Sequence, residues 1–183
     1  MFSGLRLEEI ARLRPQDIVA IDGVTAFRVQ SHADGWTPKS EAGDRIVPVH
    51  STLIELGLLD LISRRVFAGH ERLWPDLRPS GPDGKLSAGF SRRFGKLKET
   101  LNVSPDTTFH SFRHSVSTIL RNTETPEPWI DAVLGHEGEQ RSVGASVYLK
   151  RIGIQNLRTT VNAISYPEPV MAAVRLASKR VGT

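Results

Sequence analysis

The stretch Thr108-Phe-His-Ser-Phe-Arg-His-Ser115 combines a permanent cation, Arg113, with two imidazoles, His110 and His114. Leu134-Gly-His136 follows, and Tyr148 stands twelve residues beyond that histidine. Arg6 near the start and Lys39 in a polar turn complete an ordered set of clamp, proton-transfer and nucleophile types. Cleaving a phosphodiester asks for those types. It needs an in-line nucleophile, positive charge on the non-bridging oxygens and a proton for the leaving oxygen. Arginine suits the clamp, because its planar fork gives paired hydrogen bonds and keeps its charge.

Each residue also has a plainer reading. His110 and Arg113, three apart, share one face if the chain is helical there, so one pocket could use both. The alternative is an ordinary ion pair for Arg113 and a helix-capping role for His110. His110 and His114 are four apart, a spacing that can bind zinc on a helix. The glutamate of a zinc-protease motif is absent and Arg113 would repel a cation, so no metal site is expected and His114 reads as structural. Gly135 reads as the C-cap of an apolar helix, which would hold His136 exposed as a donor to a phosphate. A simple surface-loop histidine is the other option. A phenol with a pKa of about 10 is ionised to only about one part in a thousand at neutral pH, unless cations favour the phenolate. Without such neighbours Tyr148 is a packing residue.

These residues need elements to hold them. Gly4 to Leu13 has helical spacing of Leu5, Ile10 and Leu13, ended by Arg14-Pro15. Ile18–Ile21, Asp22-Gly23 and Val24–Val29 read as a hairpin, and the polar stretch 31–44 leads to a third strand, Arg45–Val49, whose Pro48 suits an edge or a strand end. Ser51 is the expected cap of a helix carrying Leu53, Ile54, Leu58, Leu61 and Ile62. Gly69 to Gly84 reads as a long surface loop. Further helices are expected over 87–101, 111–121, 127–134 and 154–164. Beyond Tyr166-Pro-Glu-Pro169, residues 170–180 form a basic, weakly amphipathic tail. The expected class is α+β, mostly helical, with a small three-stranded antiparallel sheet.

With 183 residues the chain suits one domain with a tail. Its net charge is only +4, but placement matters more: Lys85, Arg92, Arg93, Lys96 and Lys98 fall in a stretch with no acidic residue. A polyanionic partner would explain this, because neutralising phosphates releases counterions; a solvated helix face is the alternative. The absence of cysteine excludes disulfides and thiolate metal sites. No apolar run approaches a membrane span and no signal peptide is visible, so a cytoplasmic protein is expected. The chain starts at once with a helix carrying a candidate site residue, where free ends fray. Part of a longer protein, or a shortened gene, is expected.

The ordered set resembles the catalytic domain of tyrosine recombinases, the phage integrase family, and most of all integrases of bacterial prophages. Gly4-Leu-Arg6-Leu-Glu-Glu9 is similar to the family's first arginine motif, and Lys39-Ser-Glu-Ala-Gly-Asp-Arg45-Ile-Val-Pro48 to its lysine turn. His110-Ser-Phe-Arg113-His is similar to the His-x-x-Arg box, Leu134-Gly-His136 to the second histidine and Tyr148 to the nucleophile, with Tyr166 a weaker candidate. The resemblance covers nearly all of residues 3–166. It implies a catalytic domain over 1–166 and a C-terminal tail over 167–183, without the separate DNA-gripping domain that precedes the first arginine in relatives.

The implied reaction is site-specific recombination of double-stranded DNA, integrating or excising mobile DNA. Tyr148 would form a 3′-phosphotyrosyl link, and Arg6, Arg113 and His136 would bind the phosphoryl oxygens. Lys39 would protonate the leaving oxygen, and His110 would accept the tyrosine proton or donate to the phosphate. Glu9 would hold Arg6 from behind. No cofactor and no catalytic metal are implied. A homotetramer on DNA is expected, with a monomer or weak oligomer without it and with 170–180 either docking on a neighbour or disordered. A type IB topoisomerase and a DNA-binding remnant that no longer recombines are the competing functions.

Overall fold

The computed structural model describes residues 1–136 and 152–181, and the account below is confined to them. Among these residues the chain is α+β and mostly helical, with one three-stranded antiparallel sheet in the order β1-β2-β3. The strands are β1 (Ile18–Ile21), β2 (Val24–Val29) and β3 (Arg45–Pro48). The Asp22-Gly23 turn carries positive φ at both residues, as a two-residue hairpin requires, and sets the register Ile21↔Val24 to Ile18↔Phe27. Pro48 lies opposite Ala26 on the edge strand β3, where its missing N–H costs no ladder bond.

The helices are α1 (Leu7–Arg12), α2 (Ser51–Glu55), α3 (Leu58–Phe67), α4 (Ala88–Thr100), α5 (Ser111–Arg121), α6 (Glu127–Leu134), α7 (Ile154–Asn162) and α8 (Glu168–Val181). Their apolar faces close one core over the sheet. Val47 of β3, Val116 and Leu120 of α5, Ile130, Val133 and Leu134 of α6, and Val161 of α7 are fully buried. The loop expected over 69–84 adds Leu73, also fully buried, and Trp74, whose indole N–H donates to the Ile10 carbonyl at 2.8 Å.

Several boundaries differ from the sequence reading. The first helix starts at Leu7, because Gly4 is left-handed at φ 63° and Arg6 is extended as its N-cap. The expected Ser51 cap is instead His50, whose Nδ1 accepts the Thr52 N–H at 3.0 Å, so Ser51 opens the helix. The run from Ser51 is two helices, interrupted at Leu56-Gly57. Residues 168–181 form α8, with Met171 and Val174 packed against the core. No helix is long and apolar enough to cross a membrane among the described residues.

Glu8 joins α1 to α4. Its carboxylate accepts the backbone N–H groups of Leu86 and Ser87 at 3.2 and 2.9 Å, and the Arg12 Nε–H at 2.7 Å. It therefore covers N–H groups at the start of α4 that have no partner within the helix, where the helix dipole favours negative charge. Two rings complete the attachment, Phe90 and Phe94 meeting Phe109 edge-on at 5.4 and 5.7 Å. Glu8→Ala should lower stability by about 1–2 kcal/mol in urea unfolding. Amide exchange should speed up at 86–90 first.

Candidate active site

Arg6, Glu9, Arg45 and Arg113 meet at the C-terminal end of α6. A helix leaves its last carbonyls without internal partners. Here three consecutive ones each accept from a different arginine. Val133 O accepts from Arg45 Nε at 2.9 Å, Leu134 O from Arg113 Nη2, and Gly135 O from Arg6 Nη2 at 3.3 Å. Arg113 Nη1 also donates to Gly4 O at 2.6 Å. Arg113 thus ties α5 to both the chain start and α6. Its fork rests on peptide carbonyls, and among the described residues it makes no ion pair, unlike the ordinary ion pair considered from sequence.

Glu9 is the carboxylate that Arg6 and Arg45 share. Arg6 gives it its Nη1–H at 2.9 Å and its own backbone N–H at 2.8 Å. Arg45 gives it Nη1–H at 3.2 Å and Nη2–H at 2.9 Å. Burial pushes the Glu9 carboxyl up, but the bonds and charges of Arg45 and Arg6 outweigh that and hold it below its ordinary value. Three guanidiniums around one carboxylate leave an excess of two positive charges. The excess registers on its neighbours. Arg113 is lowered to about 10, first by burial and then by Arg6 and Arg45, and remains charged at neutral pH.

His136 stands beside this cluster. Gly135 is left-handed at φ 65°, and a Cβ there would lie 2.8 Å from Ala42 O and 3.0 Å from Arg45 Nε. Only glycine satisfies both the turn and the close approach. The N–H groups of Gly135 and His136 both return to Asp131 O, and Asp131 Oδ1 lies 3.5 Å from His136 Nδ1. His136 is lowered to about 4, first by burial and then by Arg113 and Arg6, so it is neutral at pH 7.

His110 sits at the N-cap position of α5 but makes no capping bond with its side chain; Ser111 Oγ takes the Thr108 N–H instead. Burial, then His114, Arg113, Arg6 and Lys39, hold His110 below its ordinary value. It borders an open cleft of about 200 Å³ with Leu5, Leu7, Ser91, Thr108 and Phe109. Lys39 is exposed in the turn before β3 and makes no hydrogen bond among the described residues. His110 and His114 have rings 4.8 Å apart, edge to face, and no three His, Cys, Asp or Glu among the described residues group as metal ligands would.

The expected set therefore converges in part. Arg6, Glu9, Arg113 and His136 lie together, with His110 and Lys39 close enough for their charges to act on one another. Tyr148 lies outside the described residues. Tyr166 is a packing residue: its hydroxyl donates to Met1 O at 2.9 Å and its ring meets Phe2 edge-on. Of the basic stripe, Arg92, Arg93 and Lys96 point outward, Lys85 pairs with Asp83, and Lys98 donates to the Ser104 and Pro105 carbonyls. Arg45 and Asp131 were not foreseen. The only sequence signal for Arg45 was a charge opening an apolar strand.

Such a cradle is suited to hold an anion that bears more than one acceptor oxygen. The sequence model of the phage integrase family matches residues 1–143, and the chain belongs to that family of tyrosine recombinases. The matched residues include Arg6, Lys39, His110, Arg113 and His136 and stop short of Tyr148. No curated protein and no solved structure matches the chain.

The depressed histidine sets a pH dependence. Between its ordinary pKa of about 6.5 and about 4, the unfolded chain binds a proton that folded His136 refuses. Its contribution to stability is complete above pH 6.5 and is lost as pH falls toward about 4. Glu9, held low, loses its contribution further down, as pH falls below its ordinary value. Urea midpoints measured from pH 7.5 to 4.5 should fall, and less steeply in His136→Asn. Equal slopes in the two proteins would refute the assignment to His136.

Proposed function

We propose that this chain cuts and rejoins DNA by transesterification through Tyr148. The phenol oxygen bonds to the scissile phosphorus as the bond to the 5′ oxygen breaks. That exchange leaves a 3′-phosphotyrosyl link and a 5′-hydroxyl. Arg6, Arg113 and His136 hold the non-bridging oxygens. His110, neutral at pH 7, accepts the phenol proton, and Lys39 supplies a proton to the leaving oxygen. Glu9 orients Arg6 from behind. One phosphoester is exchanged for another of similar energy, so no nucleotide cofactor is consumed.

The observation that best supports this reading is the charge imbalance of the arginine cluster. Three buried or half-buried guanidiniums with one carboxylate are electrostatically incomplete, and a phosphodiester entering beside them supplies the missing negative charge. Clamps of this kind can contribute about 10³–10⁵ in rate. In this reading the exposed Arg92, Arg93 and Lys96 of α4 meet the backbone of double-stranded DNA. A homotetramer on that DNA, integrating or excising a mobile element at a specific site, is the assembly and outcome that the family membership supports.

Three measurements test this. With nicked DNA whose cut end diffuses away, a covalent adduct should appear on denaturing electrophoresis and vanish in Tyr148→Phe. DNA retained with no adduct under any condition would favour a DNA-binding remnant. Arg113→Lys should lower adduct formation by about 10²–10³-fold. Lysine is the informative replacement, because alanine would also strip the Gly4 and Leu134 carbonyls of their donor. Removing Arg93 and Lys96 as Gln variants should weaken DNA binding for all sequences alike. Every phosphate left without its cation should flatten the salt dependence by about 0.9 in log–log slope.

A further inference from the structure

The turn carrying Lys39 is fastened to the arginine cluster through one residue. Gly43 ends the short helical turn Glu41–Gly43 and donates its N–H to Ser40 O at 2.8 Å. Its bare α-carbon lies against Pro38, where a Cβ would overlap the proline ring. Lys39 is therefore flanked on both sides by residues that Gly43 holds. The Gly43 carbonyl in turn accepts from Arg45 Nη1 at 2.9 Å.

Arg45 has little freedom to move. It is 9% exposed, and its other hydrogen bonds go to both oxygens of Glu9 and to Val133 O. Gly135 closes over it, a Cβ there lying 3.0 Å from Arg45 Cδ. The far end of the loop is fastened separately, Asp34 accepting from Arg12 and Arg14 at 3.3 and 3.4 Å. Between those two anchors, the bond to Gly43 fixes the lysine turn relative to Arg6.

We propose that Arg45 is the positioning residue for Lys39, registering the lysine turn on the same carboxylate that orients Arg6. Proton donor and phosphate clamp are then held at one separation by a single guanidinium. Arg45 acts through Gly43 and Lys39, four of its five N–H donors being committed to protein acceptors. The inference rests on the reading of Lys39 as the group that protonates the leaving oxygen.

Two variants of the full chain test it. Arg45→Lys keeps the charge and loses the fork, whereas Gly43→Ala leaves every buried charge in place and pushes Pro38 away. Each is compared with Lys39→Ala on nicked DNA carrying either oxygen or sulfur at the 5′-bridging position. A thiol ionises at a pH of about 8.5, so a thiolate leaves without a donated proton. Both variants should lose about 10²-fold with oxygen, as a misplacement of about 1 Å can cost. They should recover most of that loss with sulfur and lose nothing further when combined with Lys39→Ala. A loss that sulfur does not restore, in the presence of restored Lys39→Ala, overturns the proposal.

If Lys39→Ala itself is not restored, or no adduct forms at all, the proton-donor reading fails and the positioning claim is decided by a second readout. Lys39 is one of the groups that hold His110 below its ordinary pKa, and both Arg45→Lys and Gly43→Ala leave the positive charge at position 45 in place. His110 followed by NMR titration should therefore move upward in Lys39→Ala, in Arg45→Lys and in Gly43→Ala, with no further rise in the combinations. An unchanged His110 titration in Arg45→Lys and Gly43→Ala, with the fold retained by circular dichroism, also overturns it.

Discussion

The molecule depends on how one helix ends. The last carbonyls of α6 point at the place where α1, the lysine turn and α5 converge, and each of three in a row takes an arginine. Burying guanidiniums is costly unless their donors are met. The peptide oxygens meet them without cancelling their charge, which neutral acceptors cannot do. Glu9 cancels one charge only, so the cluster keeps an excess of positive charge, and the Arg6 and Arg113 forks each give two of their five N–H donors to acceptors among the described residues.

The rest of the architecture serves that convergence. The sheet carries Arg45 in from one side, and α5 brings Arg113 from another. The chain start wraps past α6 closely enough that a Cβ at Gly4 would lie 2.6 Å from Leu134 Cδ2. Beside His110, α4 is held by Glu8 and by rings of Phe109 and Phe112, which leaves the exposed Arg93 and Lys96 side chains without a hydrogen bond among the described residues. Arg92 and Lys98 differ, Arg92 donating to Ser80 Oγ at 3.3 Å and Lys98 closing the turn after the helix.

What the sequence made legible was local. The hairpin, the 3.6-residue spacing of α4 to α7 and the His-x-x-Arg order all follow from patterns a few residues long. Arg6 and Glu9 are three apart, and their pairing could be read in the same way. Arg45 and Glu9 are separated by 36 residues, and nothing in either neighbourhood announces the other. His50 displaced the expected serine cap because its ring also reaches Ile164 O at 3.0 Å, a tertiary bond that propensity does not register. Nothing near Asp131 in the sequence marks it, because its contact with His136 exists only where Gly135 turns the chain back. Tyr148 was named from type and order alone, and it lies outside the described residues.

Glu9 apart, the arginines stand on peptide oxygens, and that part of their footing has no side chain of its own to mutate. At positions 133 and 134 a saturation scan would register only the volume and greasiness of the pocket that Val133 and Leu134 fill. Those two sites could drift among aliphatic residues over long divergence while the oxygens beneath stayed put. A ranking of positions by substitution penalty would accordingly register Glu9 and overlook the peptide oxygens that share its task.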